Sequence, residues 1–214
     1  MLKNYEQNLS NIELGVLNLG KNCIENLELA LDFLQNKEMK NVKLSNKKLH
    51  ERSQKIDKLI LTTLALFSPE AKDLRLLVAF LKSTNELLRA NQNAQNFIKH
   101  LKKIENLERK ILLDDAVLLL KSSQSAMELA MLMIEEEEAE KIEQIHKKIL
   151  LQEDESDNIF SNMQKDIFEQ ISKDAKLSKY YFDLLKTLRK LEKISDRAAS
   201  VANLVLLAKL GTKI

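Results

Sequence analysis

The sequence predicts an all-α protein made of two tandem three-helix bundles, six long helices related by an internal duplication. Three observations carry that prediction. Three Gly and one Pro in 214 residues fall far below the roughly 12% that these two residues usually contribute, leaving too few turn-formers for a sandwich, a barrel or a repeated βαβ array. Apolar residues recur at intervals of three and four nearly throughout, which is the period of amphipathic helices. The layout of the first half also returns in the second.

Helix one, about residues 3–36, carries the stripe Leu9, Ile12, Val16, Leu19, Cys23, Leu27, Ala30 and Leu34, and the polar run Gln35 to Asn41 breaks it. Helix two follows with Leu49, Ser53, Ile56, Leu59 or Ile60, Thr63 and Phe67. At Ser68-Pro69-Glu70 a Ser N-cap, a Pro at the first helical position and an early acid predict the start of helix three. That helix carries Leu74, Leu77, Leu81, Leu88, Phe97 and Leu101, and the charged stretch Lys102 to Arg109 bridges the halves. The fourth helix runs through Leu112, Leu119, Met127, Leu129 and Met133 to Glu135–Glu138, an acidic run read as a solvated helix junction rather than a recognition patch. Helices five (about 139–171) and six (about 175–211) are separated by Ser172-Lys173-Asp174, which offers capping side chains. The two bundles are thus expected over 1–104 and 105–214. Their sequences align with a shift of 104 positions, which sets Leu81–Ile98 against the segment Leu184–Ala202, Leu88 against Glu192, Arg89 against Lys193 and Gln92 against Asp196.

Lys plus Arg number 34 and Asp plus Glu 32, a net charge of +2 that gives no electrostatic reason to expect nucleic acid or an anionic membrane as partner. A single cysteine, Cys23, excludes an internal disulfide framework and suits a reducing compartment. The opening MLKNYEQNLSNIELG lacks the apolar stretch of a signal peptide, and no uninterrupted apolar run approaches the roughly 18 residues of a membrane span. A cytoplasmic location is expected.

Chemistry concentrates in the second half. In helix five the row Ile142, Ile145, Ile149, Glu153, Asp157, Phe160, Met163 or Gln164, Ile167 and Ile171 places two acids where packing residues belong. In helix six Tyr181, Leu185 and Leu188 lead into Glu192 and Asp196, which share one face. Both pairs read E-x-x-x-D. Burying four unpaired carboxylates is very costly, so the face is open to water, or basic residues pair the acids, or hard cations neutralise them. Oxygen-only ligands suit magnesium, manganese, calcium or iron better than tetrahedral zinc. The plainer alternative leaves the acids hydrated at the edge of the stripe, paired with Lys193, Arg189 or Arg197. Glu143-Gln144-Ile145-His146 is one E-x-x-H motif, but a di-iron bundle needs two, and His50, His100 and His146 read as surface or interface residues. There is no Gly-rich phosphate loop, nucleophile elbow or Cys–His pairing that would indicate an enzyme.

The sixth-helix segment LRKLEKISDRAASVANLV resembles the signature L-E-R-I-G-D-x-A-x-N-I-A of the PhoU family of phosphate-signalling proteins, with Leu191, Glu192, Ile194, Asp196 and Ala198 at matching positions. Ser68-Pro69-Glu70-Ala71-Lys72-Asp73-Leu74-Arg75 is similar to the family's Q-P-x-A-x-D-L-R stretch. The resemblance implies a regulator rather than an enzyme, one that restrains phosphate uptake and mediates between the ATPase of a phosphate ABC transporter and a sensor histidine kinase. A homodimer is a further arrangement, nucleic acid is not a partner, and a membrane is reached only through the partners. The resemblance also implies metal ions of the iron, magnesium or manganese class, held here by Glu153, Asp157, Glu192 and Asp196. In the first half Asn46, His50, Leu88 and Gln92 stand where the family's acids belong, so one metal cluster at most is expected. Lys193 replaces the family's Arg, and Ser195 its Gly. Two other readings compete: a metal-free scaffold or adaptor attached to a different phosphate permease, and a di-metal oxidase using Glu143 and His146.

Overall fold

The computed structural model describes residues 2–36, 44–101 and 110–211. Within them the chain forms α1 (Leu2–Asn36), α2 (Asn46–Phe67), α3 (Ala71–Leu101), α4 (Lys110–Glu135), α5 (Ala139–Lys173), a short 3-10 turn (Ala175–Leu177) and α6 (Ser178–Leu210). Every expected helix is present, and no strand occurs among the described residues. The bridge Lys102 to Arg109, the residues that follow Asn36 up to Asn41, and the expected boundary between 104 and 105 lie outside the described residues.

The stripes read from the sequence are the buried faces. In α1, Ile12, Val16, Leu19, Cys23, Leu27 and Ala30 are all fully buried. Each half forms its three-helix unit, with α2 packed on α1 and α3, and α5 packed on α4 and α6. The most extensive contact in the molecule is between α3 and α6, and α1 also packs on α4. The halves therefore share one continuous core. Both helices of the central pair bury small residues, Ala79, Ser83, Ala90 and Ala94 on α3 and Ala198, Ala199 and Ala202 on α6. Gly20 allows close approach between α1 and α4, because a Cβ there would run into the side chain of Met131.

Three expectations need correction. Ser68 does not cap α3; it closes α2 in the left-handed region (φ 45°, ψ 58°), and α3 begins at Ala71 with φ 35°. Pro69 disfavours helical conformation in the residue before it, so Ser68 turns the chain and the Glu70 carbonyl accepts from the N–H groups of Asp73 (3.0 Å) and Leu74 (3.4 Å). The sixth helix starts at Ser178 because the Asp174 side chain accepts from Lys176 N–H at 3.0 Å and sets up the 3-10 turn first. Finally, Leu113–Glu135 of α4 is long and apolar enough by composition to cross a membrane. It packs against α1, α5 and α6 and buries just over half of that stretch, leaving Leu118 and Leu132 exposed.

Cys23 is fully buried in this core, and burial pushes its thiol up to about 12. The thiolate is the reactive species, so the native protein should leave Cys23 unmodified by a disulfide reagent at pH 8 and react fully once denatured. Rapid labelling of native protein would contradict the packing of α1. The raised value also means that the thiol's contribution to stability declines from about pH 9 towards pH 12, as the unfolded chain ionises first.

Candidate metal centre

The acids of the second half lie where α5 runs beside α6. Because α6 also packs against α3 and α4, a side chain on it is enclosed from several sides: Glu192 is 8% exposed and Asp196 half-buried, whereas Asp157 on α5 is exposed. One oxygen from each of Asp157, Glu192 and Asp196 lies within 4.8 Å of the other two. Glu153, one turn before Asp157, is half-buried and stands outside this trio. It still feels the group, since burial first, and then the charges of Asp157, Asp196, Asp154 and Glu192, raise its pKa.

The stripe on α5 differs from the expected one. Its buried row is Ile142, Ile145, Ile149, Ser156, Met163 and Ile167, so the inward position between Ile149 and Met163 belongs to Ser156. Glu153 and Asp157 flank it at the edge. A seven-residue step keeps a long helix facing its partners, and the sequence places a small polar residue on that step. Ser156 Oγ lies 2.9 Å from Ser195 Oγ on α6, which lies 3.1 Å from Ser123 Oγ on α4, and Ser123 donates to backbone carbonyls of Leu119 (2.8 Å) and Leu191 (2.9 Å). All three serines are buried. This hydroxyl chain pins the three helices directly beside Asp157 and Asp196.

Electrostatics mark the trio as a frustrated cluster. Burial, then the Asp196 charge, raises Glu192, and the hydrogen bond from Lys193 only partly opposes this. Burial and Asp196 likewise raise Asp157. Lys193 Nζ donates to Glu192 Oε1 (3.0 Å) and to Asp196 Oδ2 (2.6 Å). Burial works against that ammonium, but the bonds to Asp196 and Glu192 outweigh it and hold Lys193 above its ordinary value. Glu192 Oε2 remains buried with no hydrogen-bond partner. A buried carboxylate oxygen without a donor costs on the order of a few kcal/mol, and a hard cation among three carboxylates would satisfy it. The donor set fits an oxygen-preferring divalent ion. Arg197, expected as a possible partner for the acids, instead donates from Nη1 to Glu86 Oε2 on α3 at 2.8 Å. Arg189 is exposed on α6.

A family model, the PhoU domain, matches this sequence twice, over residues 16–101 and 116–205. The chain belongs to the PhoU domain family. The crystal structure of PhoU from Pseudomonas aeruginosa shares its fold, with a TM-score of 0.74 at 18% sequence identity over 99% of this chain and 98% of that one. No curated protein matches the sequence.

The two PhoU repeats can now be compared at the site. In the first, α2 and α3 bring His50 Nε2 within 2.9 Å of Gln92 Nε2, so these two stand together as Asp157 and Asp196 do in the second repeat. The counterpart exists, with an imidazole and an amide in place of acids. The Q-P-x-A-x-D-L-R-like stretch of the PhoU family serves contacts here: Asp73 accepts from Tyr5 OH at 2.9 Å, and Arg75 Nε donates to the Ala208 carbonyl at 3.4 Å. His146 Nε2 meets Asn203 Oδ1 at 2.7 Å across α5 and α6, and His100 Nδ1 meets the Asn96 carbonyl of its own helix at 2.6 Å. Both are interface or surface residues, as expected. Lys209 escaped the sequence reading. Its side chain is only 4% exposed, and Nζ donates to the carbonyls of Ile134 (2.6 Å) and Glu136 (2.5 Å) and to Glu137 Oε1 (3.2 Å). The acidic run Glu135–Glu138 is therefore a helix junction, and a buried ammonium caps it. A lone lysine at the end of the mostly apolar stretch that closes α6, Val201 to Leu210, was the available signal.

Proposed function

We propose that this protein is a cytoplasmic negative regulator of phosphate uptake and phosphate-starvation signalling, acting by metal-dependent contact with the ATPase of a phosphate ABC transporter and with a sensor histidine kinase. Membership of the PhoU domain family supports a role in phosphate regulation. The observation that carries the metal dependence is the trio Asp157, Glu192 and Asp196, with a buried Glu192 oxygen that no group among the described residues satisfies. Asp157, Glu192 and Asp196 would hold an iron, magnesium or manganese ion, with Glu153 at hand beside them. A bound cation supplies positive charge to a surface that is otherwise negative, so that it accepts a carboxylate or phosphate group of a partner. No covalent step is required, because regulation is a difference in affinity between partner states.

A metal-free scaffold is the second reading, favoured by the Lys193 ammonium that already pairs two of the acids. One experiment separates them. Tagged protein is recovered from cells grown with and without phosphate, bound proteins are identified by mass spectrometry, and metal is measured on the same sample. The regulator reading expects a transporter ATPase or sensor kinase together with metal, and loss of the metal from the Glu192→Ala/Asp196→Ala variant. Partners retained by a double variant that is equally metal-poor and equally folded would favour the scaffold.

A further inference from the structure

Lys193 follows Glu192 in the chain and lies one turn before Asp196, the i,i+3 spacing that lets side chains on a helix meet, and its ammonium reaches both acids. It does so with two charge-assisted bonds, 3.0 Å to Glu192 Oε1 and 2.6 Å to Asp196 Oδ2, while its own side chain remains 34% exposed. Two acids of the candidate trio thus already hold a cation, one that is covalently tethered. The geometry still leaves the group incomplete: Lys193 reaches neither Glu192 Oε2, which is buried and unpartnered, nor, by any hydrogen bond or ion pair found, Asp157.

We propose that Lys193 is a built-in competitor for the metal site, an internal cation that occupies the Glu192–Asp196 face until a divalent ion takes its place. This inference rests on the metal reading above and adds the regulation of that same site. The physical case is one of exchange. An ammonium brings one charge and three donors, enough for two carboxylates, and its half-buried side chain has an open side through which to swing outward. A divalent ion brings two charges and gathers oxygens of all three acids, including the one that Lys193 leaves unsatisfied. Occupancy then depends on outbidding a partner that is always present at high effective concentration, which sets a threshold of free metal below which the site stays closed. Emptying the site does not expose bare buried carboxylates, because the lysine returns to it.

The test is titration with Mn²⁺ of the full chain and two variants by calorimetry, with circular dichroism to verify the fold. Lys193→Met removes the ammonium and keeps an apolar stem. Lys186→Met removes the same charge from an exposed position earlier on α6. Lys193→Met should bind Mn²⁺ roughly tenfold more tightly than wild type, the scale of two charge-assisted bonds partly screened by solvent, and Lys186→Met should shift affinity much less. In wild type, saturating Mn²⁺ should also speed acylation of the Lys193 amine by an amine-selective reagent, read by peptide mass spectrometry. Equal Mn²⁺ affinity in wild type and Lys193→Met, with unchanged Lys193 acylation, would overturn the inference and leave the metal reading standing. An equal gain in both variants would overturn it as well, since general charge would then be the cause. Binding by Lys193→Met where wild type shows none would support the inference in its strongest form. No binding by either would remove both readings.

Discussion

Replacing Lys209 with Met is expected to lower the stability of the protein by about 3 kcal/mol, the upper end of the range for hydrogen bonds made by a charged group. The ammonium donates to two carbonyls at the exit of α4 and to the Glu137 carboxylate while nearly excluded from water. The last carbonyls of a helix lack partners within it and carry the negative end of its dipole. Removing the donor strands these acceptors at the point where α4 turns into α5. Lys72, which reaches Glu137 Oε2 at 3.3 Å from a mostly exposed position, serves as the control. Lys72→Met should cost less than about 1 kcal/mol, as expected for a surface pair. Denaturant melts of the two variants against wild type measure the difference, and equal effects would show that burial of Lys209 contributes nothing.

The second large effect concerns Glu192→Gln. In wild type, Mn²⁺ at 100 times its dissociation constant should raise unfolding stability by about 2.7 kcal/mol, and in this variant that gain should be largely lost. Without metal the order reverses, and the variant should be more stable than wild type at pH 7 by about 1 kcal/mol, because a neutral amide replaces a buried charge. The sign with pH follows from the direction of the shift. Glu192 is raised in the folded state, so its contribution is fully present below the ordinary carboxylate range and is lost as pH rises through the folded value. The advantage of Glu192→Gln should therefore be small near pH 4 and grow towards pH 7. Melts across that range check it, and an advantage that shrinks with rising pH would contradict the burial of Glu192. A site residue whose loss stabilises the empty protein is the pattern expected where function opposes stability.

The fold was legible because nearly all of the chain is helical and its stripes are long. The stripe Ile12, Val16, Leu19, Cys23, Leu27 and Ala30 on α1 faces inward, as periodicity requires. The helix ends were harder, since Ser68 and Pro69 satisfy the local rules for entering a helix as well as those for leaving one, and only the packing of α2 decides between them. At the site, the spacing of Glu192 and Asp196 showed that they share a face. It did not show that α6 is enclosed from several sides, which is what makes Glu192 the buried member and Asp157 the exposed one. The stripe on α5 misled by about a quarter of a turn because Ser156 is small and polar, and a sequence pattern gives no credit to a serine whose partner is another buried serine on the next helix. Lys209 was missed for the same reason: its acceptors are backbone carbonyls of α4, distant in sequence and silent in composition.

The contact of α3 with α6 has a bearing on why the first repeat persists at all. It has an imidazole and an amide where the second has acids, and on chemistry alone it is expendable. Yet α6, the helix that carries Glu192 and Asp196, buries much of its surface against α3, and α1 covers α4 in the same way. Deleting the first repeat would take α3 away from α6 and α1 away from α4, and would leave the remaining bundle with an apolar flank too large for a stable monomer. The protein should accordingly unfold in a single transition with no half-folded species, so that loss of sequence constraint in one repeat is buffered by its duty as the other's wall. Gene duplication here produced a dependent pair, in which one copy is free to change its surface and bound to keep its interior.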